Sequence, residues 1–247
     1  MTFPYLKDSY DCPGFYIDVP YEKNQESVLY VADQLRKLKL FLEEVNRTQI
    51  SEEAVRLAVD NSRKAADYYK KQLALRSEHD PVTSLTNELY ALFMCHLLAG
   101  SESAVKYTKM LLEDVKNAPK GEGLSVLWMH TLPFLQAPVK ELFNYSKNMH
   151  IRACDFIADG FREMHSEDPY EAMAEKMVYC IYNGNVNQRI QMAEELAEIT
   201  KANGGILFAH WGCKGTIGAS SLIKRSLEDA DLPTIILDGM DAIGQYQ

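Results

Sequence analysis

Apolar positions recur with a helical period from about residue 24 to 117. Val28, Val31, Leu35, Leu38, Leu42 and Val45 form one stripe, and Val55, Val59, Ala66, Tyr69 and Leu73 form another, the spacing of helices that each bury one face. Ser51, followed by Glu52 and Glu53, predicts an N-cap with acids at the positive end of the second helix. Two more helices are expected, over 84–99 ending at Gly100 and over 102–116 starting from Ser101. Ahead of them, the aromatic and β-branched run 15–19 lies between Pro13-Gly14 and Pro20, which predicts a short strand. The stretch Asn117-Ala-Pro-Lys-Gly-Glu-Gly123 reads as a linker, because a proline and two glycines interrupt the period. Beyond it the pattern alternates, with strands expected at 124–129, 149–153, 205–209 and 233–237 and helices near 137–146, 169–182, 186–202 and 218–229. Such alternation implies right-handed β-α-β crossovers and a mainly parallel sheet covered on both faces, preceded by a helical segment: an α/β fold.

Composition changes this picture mainly by exclusion. The 247 residues are 47% hydrophobic, enough for a true core. Their 26 basic and 35 acidic residues leave a net charge of −9, which argues against a nucleic-acid backbone or an anionic membrane as partner. No apolar run is long enough to span a bilayer, and MTFPYLKDSYDCPG lacks the basic start and apolar stretch of a signal peptide. A cytosolic protein is expected. The five cysteines are odd in number, widely spaced and without a CxxC, which fits neither a secreted disulfide framework nor a zinc module.

In an open parallel sheet, ligands bind outside the carboxyl ends of the strands. The positions just past the predicted strands are His130-Thr131, Cys154-Asp155, His210-Trp211-Gly212-Cys213 and Asp238-Gly239. Cys213 falls in the glycine-rich turn HWGCKGTIGASS, where backbone N–H groups favour a thiolate able to act as metal ligand or nucleophile. The same turn also admits a packing role for Cys213, with Gly212 and Gly215 merely shaping the chain. Its glycines match neither GxGxxG nor the phosphate-loop spacing. His130 and His210 are candidates for acid–base or hydrogen-bonding roles. Cys95 and Cys180, in apolar helical stretches, are expected to be core, and Lys214, Lys224 and Arg225 to be solvated surface charge.

The segment HWGCKGTIGASSLIKRSLEDADLPTIILDG resembles the C-terminal hallmark of the 2-hydroxyacyl-CoA dehydratase family, which includes the benzoyl-CoA reductase subunits. CPGFYIDVPYE, LWMHTLPF and YNGNVNQRI are similar to further family stretches and occur in the same order. The resemblance implies Rossmann-like domains, with residues 1–22 finishing a truncated first domain, 23–118 a helical segment and 119–247 a second domain, incomplete at its end. It departs from the family where LDGD is expected and LDGMD stands. It also implies a [4Fe-4S] cluster held by three cysteines. Cys213 matches the family's cluster cysteine of the C-terminal domain, with Cys12 and Cys154 as candidates for the other two. The implied reaction removes water from a 2-hydroxyacyl-CoA through a ketyl radical, after one-electron activation by an ATP-dependent iron–sulfur protein, in a heterodimer with a homologous subunit. A benzoyl-CoA reductase-like subunit and a noncatalytic electron-relay paralogue are the alternatives.

Overall fold

The computed structural model describes residues 9, 10 and 12–239. Four long helices come first: α1 (Gln25–Asn46), α2 (Glu52–Leu75), α3 (Leu85–Leu97) and α4 (Glu102–Lys116). The side chains of Asn24, Ser51 and Ser101 accept hydrogen bonds from Ser27, Ala54 and Ala104 and so cap three of them, satisfying amide donors that a helix start leaves unpaired. The α/β part follows: β1 (Leu124–Met129), α5 (Ala137–Phe143), β2 (Met149–Cys154), α6 (Asp155–Gly160), α7 (Pro169–Val178), α8 (Asn187–Thr200), β3 (Gly204–His210), α9 (Lys214–Ile217), α10 (Ser220–Asp229) and β4 (Thr234–Gly239). All strand pairs are parallel, in the order β2-β1-β3-β4, as the alternating pattern predicts. No helix among the described residues is long and apolar enough to cross a membrane.

The chain runs outward from β1 to β2 and then crosses back past β1 to β3. The strand order therefore reverses between β1 and β3, and the crevice outside their carboxyl ends is where such sheets bind ligands. β1 is covered on both faces, with Leu127, Trp128 and Met129 all buried, whereas Ile235 and Leu237 of β4 are partly exposed. The first helices and the sheet share one core: Tyr69, Leu73, Leu92 and Val115 pack in the same cluster as Leu127, Ile151 and Leu207.

Two expectations need correction. Residues 15–19 join no strand ladder. Instead the Gln34 side chain accepts from the Asp18 N–H at 2.8 Å and donates to the Asp18 carbonyl at 2.8 Å, so an amide from α1 takes the place of a neighbouring strand. The stretch 117–123 is not a loose linker. His79 and Lys120 form an antiparallel bridge, the Gly121 N–H donates to the Glu78 carbonyl at 2.9 Å, and the Asp80 N–H donates to the Pro119 carbonyl at 3.1 Å. Gly121 is needed for close approach rather than freedom, because a Cβ there would stand 2.1 Å from Asp80 Oδ2.

Candidate active site

His130 ends β1 in an unusual way. Its φ is +74°, a left-handed conformation that costs a non-glycine residue energy and persists only when neighbours enforce it. Two neighbours do so. The His130 N–H donates to Asp155 Oδ1 at 2.6 Å, and its carbonyl accepts from the Cys154 thiol at 3.4 Å. Asp155 is fully buried and in turn meets Arg189 Nη2 at 3.5 Å. Burial pushes the Asp155 carboxyl above the usual range, with Arg189 opposing that rise. A chain of contacts thus runs from Arg189 on α8 through Asp155 to the backbone of His130.

Arg189 is itself buried, and its Nε and Nη1 have no hydrogen-bond partner among the described residues. Its guanidinium lies 4.7 Å from the centroid of the Tyr182 ring, an attractive cation–π arrangement. Tyr182 and Phe156 flank the His130 imidazole, each with its ring centroid 6.1 Å away. Burial, together with the charges of Arg189 and His210, pushes His130 down to about 4. The imidazole is therefore neutral near pH 7, suited to hydrogen bonding at a substrate oxygen rather than to carrying charge.

His210 closes β3 across the crevice. The Gly212 N–H donates to His210 Nδ1 at 2.9 Å, so the neutral ring carries its proton on Nε2. Gly212 allows this return of the ring: a Cβ at 212 would lie 3.0 Å from His210 Cε1. Cys213 follows on the same rim, half-buried, with Sγ 3.2 Å from Thr216 Oγ1. Trp211, exposed, donates from Nε1 to Asp238 Oδ1 at 2.6 Å and ties the β3 and β4 ends together. Beside His130 opens a cavity of about 490 Å³ walled by Tyr90, Phe93, Phe134 and Phe156, with Lys140 at its edge, within the size range of small-ligand sites.

The structure brings His130 and His210 to one crevice, with Cys213 on the same rim, but it does not gather the three cysteines. Cys12 is exposed in the N-terminal segment, and Cys154 is buried at the wall of the His130 cavity with its thiol turned to the His130 carbonyl. Burial drives the Cys154 thiol strongly upward, away from thiolate. Among the described residues no three His, Cys, Asp or Glu side chains form a group able to hold a metal ion. A cluster held by Cys12, Cys154 and Cys213 together does not fit this arrangement.

Cys95 is buried as expected, while Cys180 is only half-buried and lines a second cavity. Lys224 bonds Glu228 and the Thr234 carbonyl. The family-like stretch YNGNVNQRI contains Tyr182 and Arg189, but the sequence alone assigns neither a role. The available signal was the spacing Arg189, Ala193, Leu196 and Thr200, which sets an arginine on the buried stripe of α8, and a charge on such a stripe is rare without a task.

Comparison with curated proteins gives no match. A family model for the 2-hydroxyglutaryl-CoA dehydratase D-component matches residues 1–245, and the chain belongs to that family.

Proposed function

We propose that this chain is the acyl-CoA-binding component of a 2-hydroxyacyl-CoA dehydratase, with the thioester seated in the crevice between the carboxyl ends of β1 and β3. The observation that carries the reading is His130: a strained backbone, clamped by Asp155 and Cys154 at the mouth of an aromatic cavity. Strain of this kind collects where a side chain must be aimed. In this reading the aromatic cavity takes the acyl chain. The neutral His130 and the Nε2–H of His210 donate to the thioester oxygen, or to the 2-hydroxyl as it leaves. A hydrogen bond that tightens as charge builds on that oxygen favours the transition state over the bound substrate.

Loss of water breaks the C2–O bond and removes a proton from C3, which is not acidic in the resting thioester. One-electron activation by an ATP-dependent partner, acting with a homologous subunit, belongs to this reading and rests on the family alone. The test is an anaerobic assay of the chain with its partner subunit and activator on a panel of 2-hydroxyacyl-CoA esters, read by mass spectrometry. The expected product is the 2-enoyl-CoA, lighter than the ester by the mass of one water. Unchanged ester with the assembled components, or reduction without water loss, contradicts the proposal.

A further inference from the structure

Tyr182, which flanks His130, also lines a larger cavity of about 600 Å³, which the acyl-CoA reading does not use. Its walls come mainly from α1, α2, α7 and the stretch before α7, and are mostly aliphatic or thioether: Leu35, Val59, Met164, Met173 and Met177. One end is polar, with Lys176, Asp159 and Cys180.

The charges at that end do not balance. Asp159 Oδ1 accepts from Arg162 Nε at 3.1 Å and Nη2 at 2.9 Å, and from the Ile181 N–H at 3.2 Å, so Arg162 already neutralises it. Lys23 adds a second cation, its Nζ donating to the Cys180 carbonyl at 2.7 Å. The Lys176 ammonium makes no hydrogen bond or ion pair among the described residues; Asp159 and Cys180 act on it, and it in turn helps to lower the neighbouring His96. Burial lowers its pKa, with Asp159 working the other way. A half-buried ammonium with unspent donors beside an apolar cavity is partly stripped of water, and an entering anion offsets that cost. Asp159 beside it disfavours a doubly charged head such as a phosphate dianion. Methionine walls adapt to an unbranched chain.

We propose that this cavity binds an aliphatic monocarboxylate, its carboxylate on Lys176 and its chain along Met164, Met173 and Met177. The proposal goes beyond the dehydratase reading and does not depend on it. Calorimetric titration of the full chain with sodium octanoate, and separately with 1-octanol, tests it. Saturable octanoate binding is expected. Lys176→Met weakens it about tenfold or more while changing octanol binding less than about twofold, since only the charge-assisted bond is lost. Met177→Trp, which fills the cavity, abolishes both. Lys176→Gln gives the same octanoate loss with a polar end retained, and circular dichroism verifies that each variant is folded. No saturable octanoate binding by the unaltered chain overturns the proposal, as does binding that both Lys176 variants leave unchanged. Neither result bears on acyl-CoA binding, so the two readings fail separately.

Discussion

Two buried arginine–aspartate pairs flank the sheet, and they are built to opposite standards. Arg152, within β2, grips Asp80 with Nε at 2.9 Å and Nη2 at 2.6 Å, and its Nη1 reaches the carbonyls of Ser77 and Thr200. Every guanidinium nitrogen has an acceptor. Arg189, at the carboxyl rim, touches Asp155 with one nitrogen at 3.5 Å and leaves Nε and Nη1 unspent. A saturated pair in a dry interior ties distant segments, here the 76–80 turn, the 117–123 stretch and β2. An unsaturated one keeps donors and strain at the place where a ligand would arrive. The same residue types therefore serve the fold at Asp80 and the site at Asp155.

The comparison breaks most readily at its structural half. Arg152→Met strands the Asp80 carboxylate among buried groups, and urea unfolding followed by circular dichroism is expected to show a loss of about 3–5 kcal/mol. A stability change under about 1 kcal/mol would remove the distinction between the pairs.

The next effect concerns pH. His130 is held at about 4 in the folded chain, against an ordinary value near 6.5. Between these values the unfolded chain binds a proton that the folded chain refuses, so stability is lost as pH falls from about 6.5 towards 4. His96 and His150 are lowered too, both mainly by burial, and share that trend. His130→Gln isolates one contribution: it should flatten the stability–pH slope by up to about 1.4 kcal/mol per pH unit within that window. An identical slope in the variant would contradict a neutral, buried His130.

Arg189→Met removes a longer and weaker contact, beside an aspartate that burial already favours in its protonated form. A stability loss of about 1–2 kcal/mol is expected, clearly below that of Arg152→Met. Acyl-CoA affinity measured by calorimetry should fall by about tenfold or more in the same variant. The smallest effect belongs to Cys213→Ser. The thiol is half-buried and its partner is the Thr216 hydroxyl, so the unfolding free energy should change by less than about 0.5 kcal/mol.

What was legible in the sequence follows the same division. β1 matches its expected range because the run between Gly123 and His130, apolar but for Ser125, leaves a buried strand as its natural fit, and the parallel topology follows from the alternation of strand and helix. The sequence pattern also set His130, His210 and Cys213 on one rim. It missed whatever depends on a partner far along the chain. An extended run becomes a strand only with a neighbouring strand, and residues 15–19 meet the Gln34 amide instead. Gly121 reads as freedom until Asp80 and Arg152 are seen packed against it. Cys154 looked like a possible ligand until its thiol proved to be turned onto the His130 carbonyl.

Alkylation of Cys213 by iodoacetamide, followed peptide by peptide in the presence and absence of a 2-hydroxyacyl-CoA, tests the crevice most directly. Exposed Cys12 and half-buried Cys180 serve as internal references. Bound ester should slow modification of Cys213 by about tenfold or more, with Cys12 and Cys180 reacting as before. Equal Cys213 rates with and without saturating ester would contradict an acyl-CoA site between the ends of β1 and β3.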